Sequence, residues 1–169
     1  FKIMKPHFRR YSPLAALILL LALLNITKFS VNANFSITEI KAVAELSFPD
    51  NDGKPSDWIE ITNTGDSSAS LEGHFLTNNA NDLTRWKFPA INLRKGESII
   101  VFASAKNRIN PDEPLHASFT LDRKGDYLAL IAPDGLSVVS GFDEGYPEQY
   151  PGSSYGYGTS GLVNREILV

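Results

Sequence analysis

Acidic groups crowd one short stretch of this chain, Asp50-Asn51-Asp52-Gly53, and Asp57 follows four residues on. Hard oxygen ligands on a flexible loop suit Ca²⁺. The spacing departs from the calcium-hand template, which places three alternating ligands before the Gly and a Glu after it. A solvated turn, in which Asp and Gly favour the bend, is therefore the simpler reading, with Asp50, Asp52 and Asp57 kept as candidate cation ligands. Asp122 and Asp126 flank another turn and make a weaker set. His74 and His116 fall in neither a Ser/His/Asp spacing nor a His-x-x-x-His pair, so each is expected to be structural or superficial. A hydrolase built from Asp57, Glu60 and a histidine would require a cleft that joins them and perturbs a pKa. Gly156 and Gly158 have no following helix or Lys with which to cradle phosphate. Tyr146, Tyr150, Tyr155 and Tyr157 cluster in a Gly- and Pro-rich segment, where exposed rings could stack on sugars or on a partner's side chains. Some of these rings have the alternative of tucking back over the edge of the fold.

The element most able to position these groups is Asp57-Trp58-Ile59-Glu60-Ile61-Thr62, closed by the turn residues Asn63-Thr64-Gly65. Side chains alternate along an extended chain, so Ile59 and Ile61 share the inward face. Trp58 and Glu60 then fall on the outer face, or against a neighbouring loop. Trp58 and Trp86 are read as packing residues.

Residues 1–33 have the three-part layout of a secretory signal peptide: Lys2, Lys5, Arg9 and Arg10, then the apolar run Leu14 to Leu24, then Val31-Asn32-Ala33 for cleavage. Eleven apolar residues fall short of the roughly 20 that span a bilayer, so cleavage is expected and an uncleaved anchor is the only route to a membrane. The first residue is Phe, which makes Met4 the better start. Five of the sixteen Lys and Arg lie in this segment, so the remainder carries eleven against nineteen acidic residues, a net charge of −8. That sign disfavours nucleic acid as a partner. Zero Cys excludes disulfides, thiol catalysis and thiolate metal sites, and leans toward a bacterial exported protein at the cell surface or secreted. Asn34-Phe35-Ser36 is a glycosylation acceptor only in a eukaryotic secretory pathway.

About 136 residues then remain, enough for one domain with its own core. No helical period is sustained. Short branched-residue runs alternate with turn signals, the pattern of an all-β sandwich or barrel. Strands are predicted at 37–43, around Trp58, at 74–77, 84–88, 98–103, 127–131 and 136–140, with a short one at 118–121. Pro133-Asp134-Gly135 joins the last pair of long strands as a hairpin. Residues 104–116 are predicted to be a loop, and the chain from Gly145 to run over the surface.

The ordered set Trp58-Ile59-Glu60-Ile61-Thr62-Asn63, Leu71-Glu72-Gly73-His74-Phe75-Leu76, Trp86-Lys87-Phe88-Pro89 and Leu93-Arg94-Lys95-Gly96-Glu97, leading into Ile99-Ile100-Val101-Phe102-Ala103, resembles the lamin-tail domain. Leu115 to Phe119, Gly125 to Leu130 and Ser154-Tyr155-Gly156 are similar to its bacterial exported branch. The resemblance spans Ile37 to Gly158. It implies an immunoglobulin-like antiparallel β-sandwich of seven to nine strands that serves as a binding or spacer module, with no catalytic residues and no cofactor. The expected organisation is a signal-peptide helix at 1–33, the sandwich at 34–158, and a tail or linker at 159–169. The expected task is contact with a protein or cell-envelope glycan. The alternative is an accessory domain of a larger exported enzyme, spore-coat kinase-like or hydrolytic, whose catalytic part lies beyond Val169.

Overall fold

The computed structural model describes the backbone of residues 34–158 and 161–166, with side chains through Gly156. The predicted signal-peptide helix lies outside these residues. Within them the chain forms twelve strands: β1 Phe35–Lys41, β2 Asp57–Asn63, β3 Ala69–Ser70, β4 Phe75–Thr77, β5 Trp86–Lys87, β6 Asn92–Leu93, β7 Ser98–Ala103, β8 Leu115–His116, β9 Leu128–Ile131, β10 Val138–Phe142, β11 Ser153–Gly158 and β12 Gly161–Glu166. They make a six-stranded sheet ordered β12-β11-β1-β2-β7-β8, a four-stranded sheet ordered β10-β9-β4-β5, and a small β3-β6 pair.

The alternation in β2 sets the layering. Ile59 and Ile61 face inward, and their partners across the ladder are equally apolar: Ile37 and Ile99 flank Ile61, while Ile40 and Val101 flank Ile59. This sheet shares one core with Leu76, Trp86, Leu128, Leu130 and Phe142 of the smaller sheet. Branched and aliphatic side chains stacked across strands are what the pleated surface accommodates best.

Several sequence expectations require correction. Residues 104–116 are not wholly loop, because β8 at their end pairs parallel to β7, while the stretch 118–121 contributes only a bridge from Thr120 to Ser104. A two-residue strand is too short for any periodicity to reveal. Nor does the chain from Gly145 run over the surface. Tyr146, Gln149 and Ser154 are buried, and β11 pairs with β1. The Tyr146 hydroxyl donates to the Asp122 carbonyl and accepts from its N–H, both at 2.9 Å. Gln149 Oε1 accepts the Ala42 N–H just past the end of β1. Composition signalled a loop here; side-chain bonds to distant backbone made it part of the fold. Residues 161–166, read as tail, add a strand beside β11.

β1 carries a bulge between Ile37 and Glu39, and the Ile37 N–H turns to the Ser140 hydroxyl at 3.0 Å. Gly156 lies against this irregularity. A Cβ there would stand 2.4 Å from the Thr38 carbonyl oxygen and 3.0 Å from the Glu39 Cα. Gly156→Ala is therefore expected to cost about 1–3 kcal/mol, the range for overpacking. Urea denaturation reads this directly; an unchanged midpoint would mean that β11 and β1 do not approach so closely.

Candidate functional site

Four side chains form a row across the outer face of the larger sheet. Lys41 is opposite Trp58, Trp58 opposite Phe102, and Phe102 opposite His116. An outer face would ordinarily meet water, yet their exposures are 0%, 4%, 6% and 0%. The loop between β1 and β2 reaches over Trp58, Phe102 and His116. Phe48 stacks on Trp58 at 5.5 Å between ring centroids and meets Phe102 edge-on at 5.8 Å, while His116 stacks on Phe102 at 5.2 Å. Both sequence expectations for Trp58 hold: it packs, and it packs against a loop.

The cover is pinned by charge. Asp50 is buried and accepts from the Ser56 hydroxyl at 2.8 Å, the Asp52 N–H at 2.9 Å and the Lys54 N–H at 3.1 Å. Lys106 bridges Asp50 at 2.5 Å and Asp52 at 2.7 Å, and Arg108 reaches Asp52 at 2.8 Å. Burial pushes the Asp50 carboxyl up, but the bonds from Lys106, Ser56 and the two N–H groups outweigh it and hold the pKa well below the usual range. Arg108 and Lys106 bring Asp52 down to about 2.

Asp57 sits elsewhere, on the inward side of β2. Burial raises its pKa to about 6, against the opposing effects of the Leu121 N–H and Lys41. Lys41, itself buried, donates to the Ser153 carbonyl at 3.2 Å, and burial lowers its pKa. The three candidate calcium ligands thus do not converge, and two of them spend their oxygens on Lys106 and Arg108. Among the described residues no group of three His, Asp or Glu side chains could hold a metal.

The Asp57, Glu60 and histidine constellation does not assemble either. Glu60 accepts from Thr38 Oγ1 at 2.5 Å on the outer face, opposite to Asp57. His74 lies over Phe35 with Nδ1 3.2 Å from the Leu71 carbonyl. His116 instead joins two residues that sequence reasoning never connected. Its Nδ1 is 2.7 Å from Ser104 Oγ and its Nε2 is 2.8 Å from Asn51 Oδ1. Residues 51, 104 and 116 belong to three separate segments, so no spacing rule could have linked them.

Tyr146, Tyr150 and Tyr155 do not form one platform. Tyr146 is buried against Phe142, and Tyr155 packs on Phe142 at 5.8 Å, so the tucked alternative holds for Tyr155. The side chain of Tyr157 lies outside the described residues. Among the described ones Tyr150 is the exposed ring, at 58%. Exposed Leu46 lies beside Gly152, two residues from Tyr150, and half-exposed Phe48 is two residues further along the same loop. Leu46 and Phe48 are thus exposed apolar side chains of the loop that covers Trp58, and Tyr150 is exposed in the segment that meets this loop at Gly152. A separate cleft of about 510 Å³ opens between segments 42–45 and 120–123, with Asn78 and Asp126 on its walls.

Two packed sheets, antiparallel apart from the β7–β8 pair, that do not close on themselves define an immunoglobulin-like β-sandwich. The chain matches the family model of the Lamin Tail Domain over residues 30–142. It belongs to the lamin-tail domain family, an immunoglobulin-like and non-catalytic family. No curated protein matches it. β11, beyond the matched residues, nevertheless completes the larger sheet beside β1.

The two kinds of carboxylate make opposite predictions. Asp50 and Asp52, depressed in the fold, stabilise it above the ordinary carboxylate pKa, and that contribution is lost as pH falls. Asp57, raised to about 6, contributes stability fully below about pH 3.8 and loses it as pH rises through about 6. Asp50→Ala should cost about 1–3 kcal/mol at neutral pH by leaving buried donors unpaired. It should also flatten the acid limb of a stability-against-pH curve. Asp57→Asn should raise stability at neutral pH and leave it unchanged near pH 3. Chemical denaturation across pH measures both, and matching curves for wild type and either variant would refute the corresponding assignment.

Proposed function

We propose that this lamin-tail domain is an exported recognition module whose contact surface is Leu46, Phe48 and Tyr150, and that it binds a protein or a cell-envelope glycan at the cell surface. The observation that supports this is the exposure of two aromatic rings and a leucine beside a loop fixed from beneath by Trp58 and from the side by Lys106 and Arg108. Rigid aromatic side chains on a fixed loop give contact area at low ordering cost. The negative balance of the chain after residue 33 favours a neutral or basic partner over a nucleic acid.

Binding of the purified chain to arrays of envelope proteins and glycans tests the reading. A saturable interaction weakened about tenfold or more by Tyr150→Ala or Phe48→Ala is expected, the size of a modest hot spot. The affinity should be the same with Ca²⁺ or with chelator, because Lys106 and Arg108 occupy the loop carboxylates. Calcium dependence would restore the Asp50 loop as a cation site. Silence across the arrays would favour a spacer that positions an attached domain.

A further inference from the structure

The geometry points to Ser104 as a nucleophilic serine, with His116 as its base and Asn51 as the residue that positions the base, competent to take an acyl group from small activated carboxylic esters. A serine hydroxyl is weakly nucleophilic until an adjacent base removes its proton, and the recognisable arrangement is nucleophile, base and a third group in hydrogen-bond sequence. That sequence is present here, at 2.7 Å from Ser104 to Nδ1 and 2.8 Å from Nε2 to Asn51.

The proton positions follow from partners. Arg108 Nη1, which can only donate, is 3.2 Å from the same Asn51 atom, which must therefore be the amide oxygen. An oxygen there accepts, so the imidazole proton is on Nε2. Nδ1 then carries the lone pair and accepts from the Ser104 hydroxyl. Burial first, then the neighbouring Lys106 and Arg108, disfavour the imidazolium, so the ring rests in the neutral form that a base requires. Ser104 directly follows β7, and the chain turns after it through Ala105 at φ 59°, a conformation rare for an L side chain. Ser104 is half-buried while His116 is wholly enclosed, which limits access to a small acyl group.

In the first step Ser104 Oγ bonds to the ester carbonyl carbon as its proton passes to His116 Nδ1. The carbon–oxygen bond to the leaving group breaks, and the leaving group departs with that proton or as its anion. Water then attacks the acyl-serine by the same route, releasing the acid and restoring the hydroxyl.

The test incubates the intact chain with p-nitrophenyl acetate and, as a trap, with a small fluorophosphonate, in which the Oγ–P bond forms as P–F breaks. Modified residues are located by peptide mass spectrometry. A modification at Ser104 formed about 100-fold or more faster than any background in Ser104→Ala is expected, the contribution typical of a positioned base. Asn51→Ala should slow it; Asn51→Asp should restore it and move the pH profile of the rate upward, because a carboxylate beside Nε2 favours the imidazolium, a shift that mere loop stability would not produce. His116→Gln is a further probe but risks the fold, so the outcome rests on the Ser104 and Asn51 variants, each checked by circular dichroism. Absence of a Ser104 adduct in folded wild type, or equal rates in Ser104→Ala, would overturn the assignment. Neither result bears on the binding arrays, so the two readings fail separately.

Discussion

Burial of Trp58 is the interaction on which the rest depends. β2 lies inside the larger sheet, with Ile59 and Ile61 turned to the core, so the alternation of the strand forces an indole onto the face that lacks a second sheet. Covering so large an apolar ring requires a lid, and the β1–β2 loop supplies one through Phe48. A lid with so polar a sequence must satisfy its own backbone, which Asp50 does by accepting from Asp52, Lys54 and Ser56. Burying that carboxylate in turn requires a cation, and Lys106 provides it. Arg108 and Asn51 fall into place beside the same clamp, and His116 comes to rest between Asn51 and Ser104. One aromatic side chain on the wrong side of a strand thus explains both the salt-bridge cluster and the enclosed histidine.

A second set of constraints closes the other side of β1. The bulge after Ile37 breaks the ladder, and the N–H it frees is taken by Ser140 of the opposite sheet. Further along, β11 approaches β1 closely enough that only a glycine fits at 156. Gln149 caps the strand at Ala42, and Tyr146 fastens the incoming segment to Asp122. The segment thereby becomes part of the core and leaves Tyr150 as its one exposed ring among the described residues. Tyr146, Tyr150 and Tyr155, neighbours in the sequence, thus end in different surroundings.

Electrostatics divides along the same lines. Asp50 and Asp52 are placed where hydrogen-bond donors and cations overcome desolvation, whereas at Asp57 desolvation prevails because one N–H and a distant, itself buried lysine offer too little in return. Carboxylates within eight positions of one another thus respond to acid in opposite senses. Their shared residue type says nothing of this.

Much of the fold was legible in the sequence. The period-two pattern at Ile59 and Ile61, the branched run at 98–103 and the hairpin at Pro133-Asp134-Gly135 are local signals, and each is an element of the structure because side-chain alternation and turn chemistry act between near neighbours. The ordered segments likewise carried the lamin-tail family. The site was not legible to the same degree. Asp50, Asn51 and Asp52 announced an acidic loop but not the Lys106 and Arg108 that neutralise it, more than fifty residues away. Lone His116 looked structural, and nothing near it in the chain named Ser104 or Asn51 as partners. The sequence determined which residues were available and which face of each strand they occupied. Only the tertiary structure decided which of them meet, because hydrogen bonds and ion pairs depend on distances of about 3 Å that the crossing of separate segments alone creates.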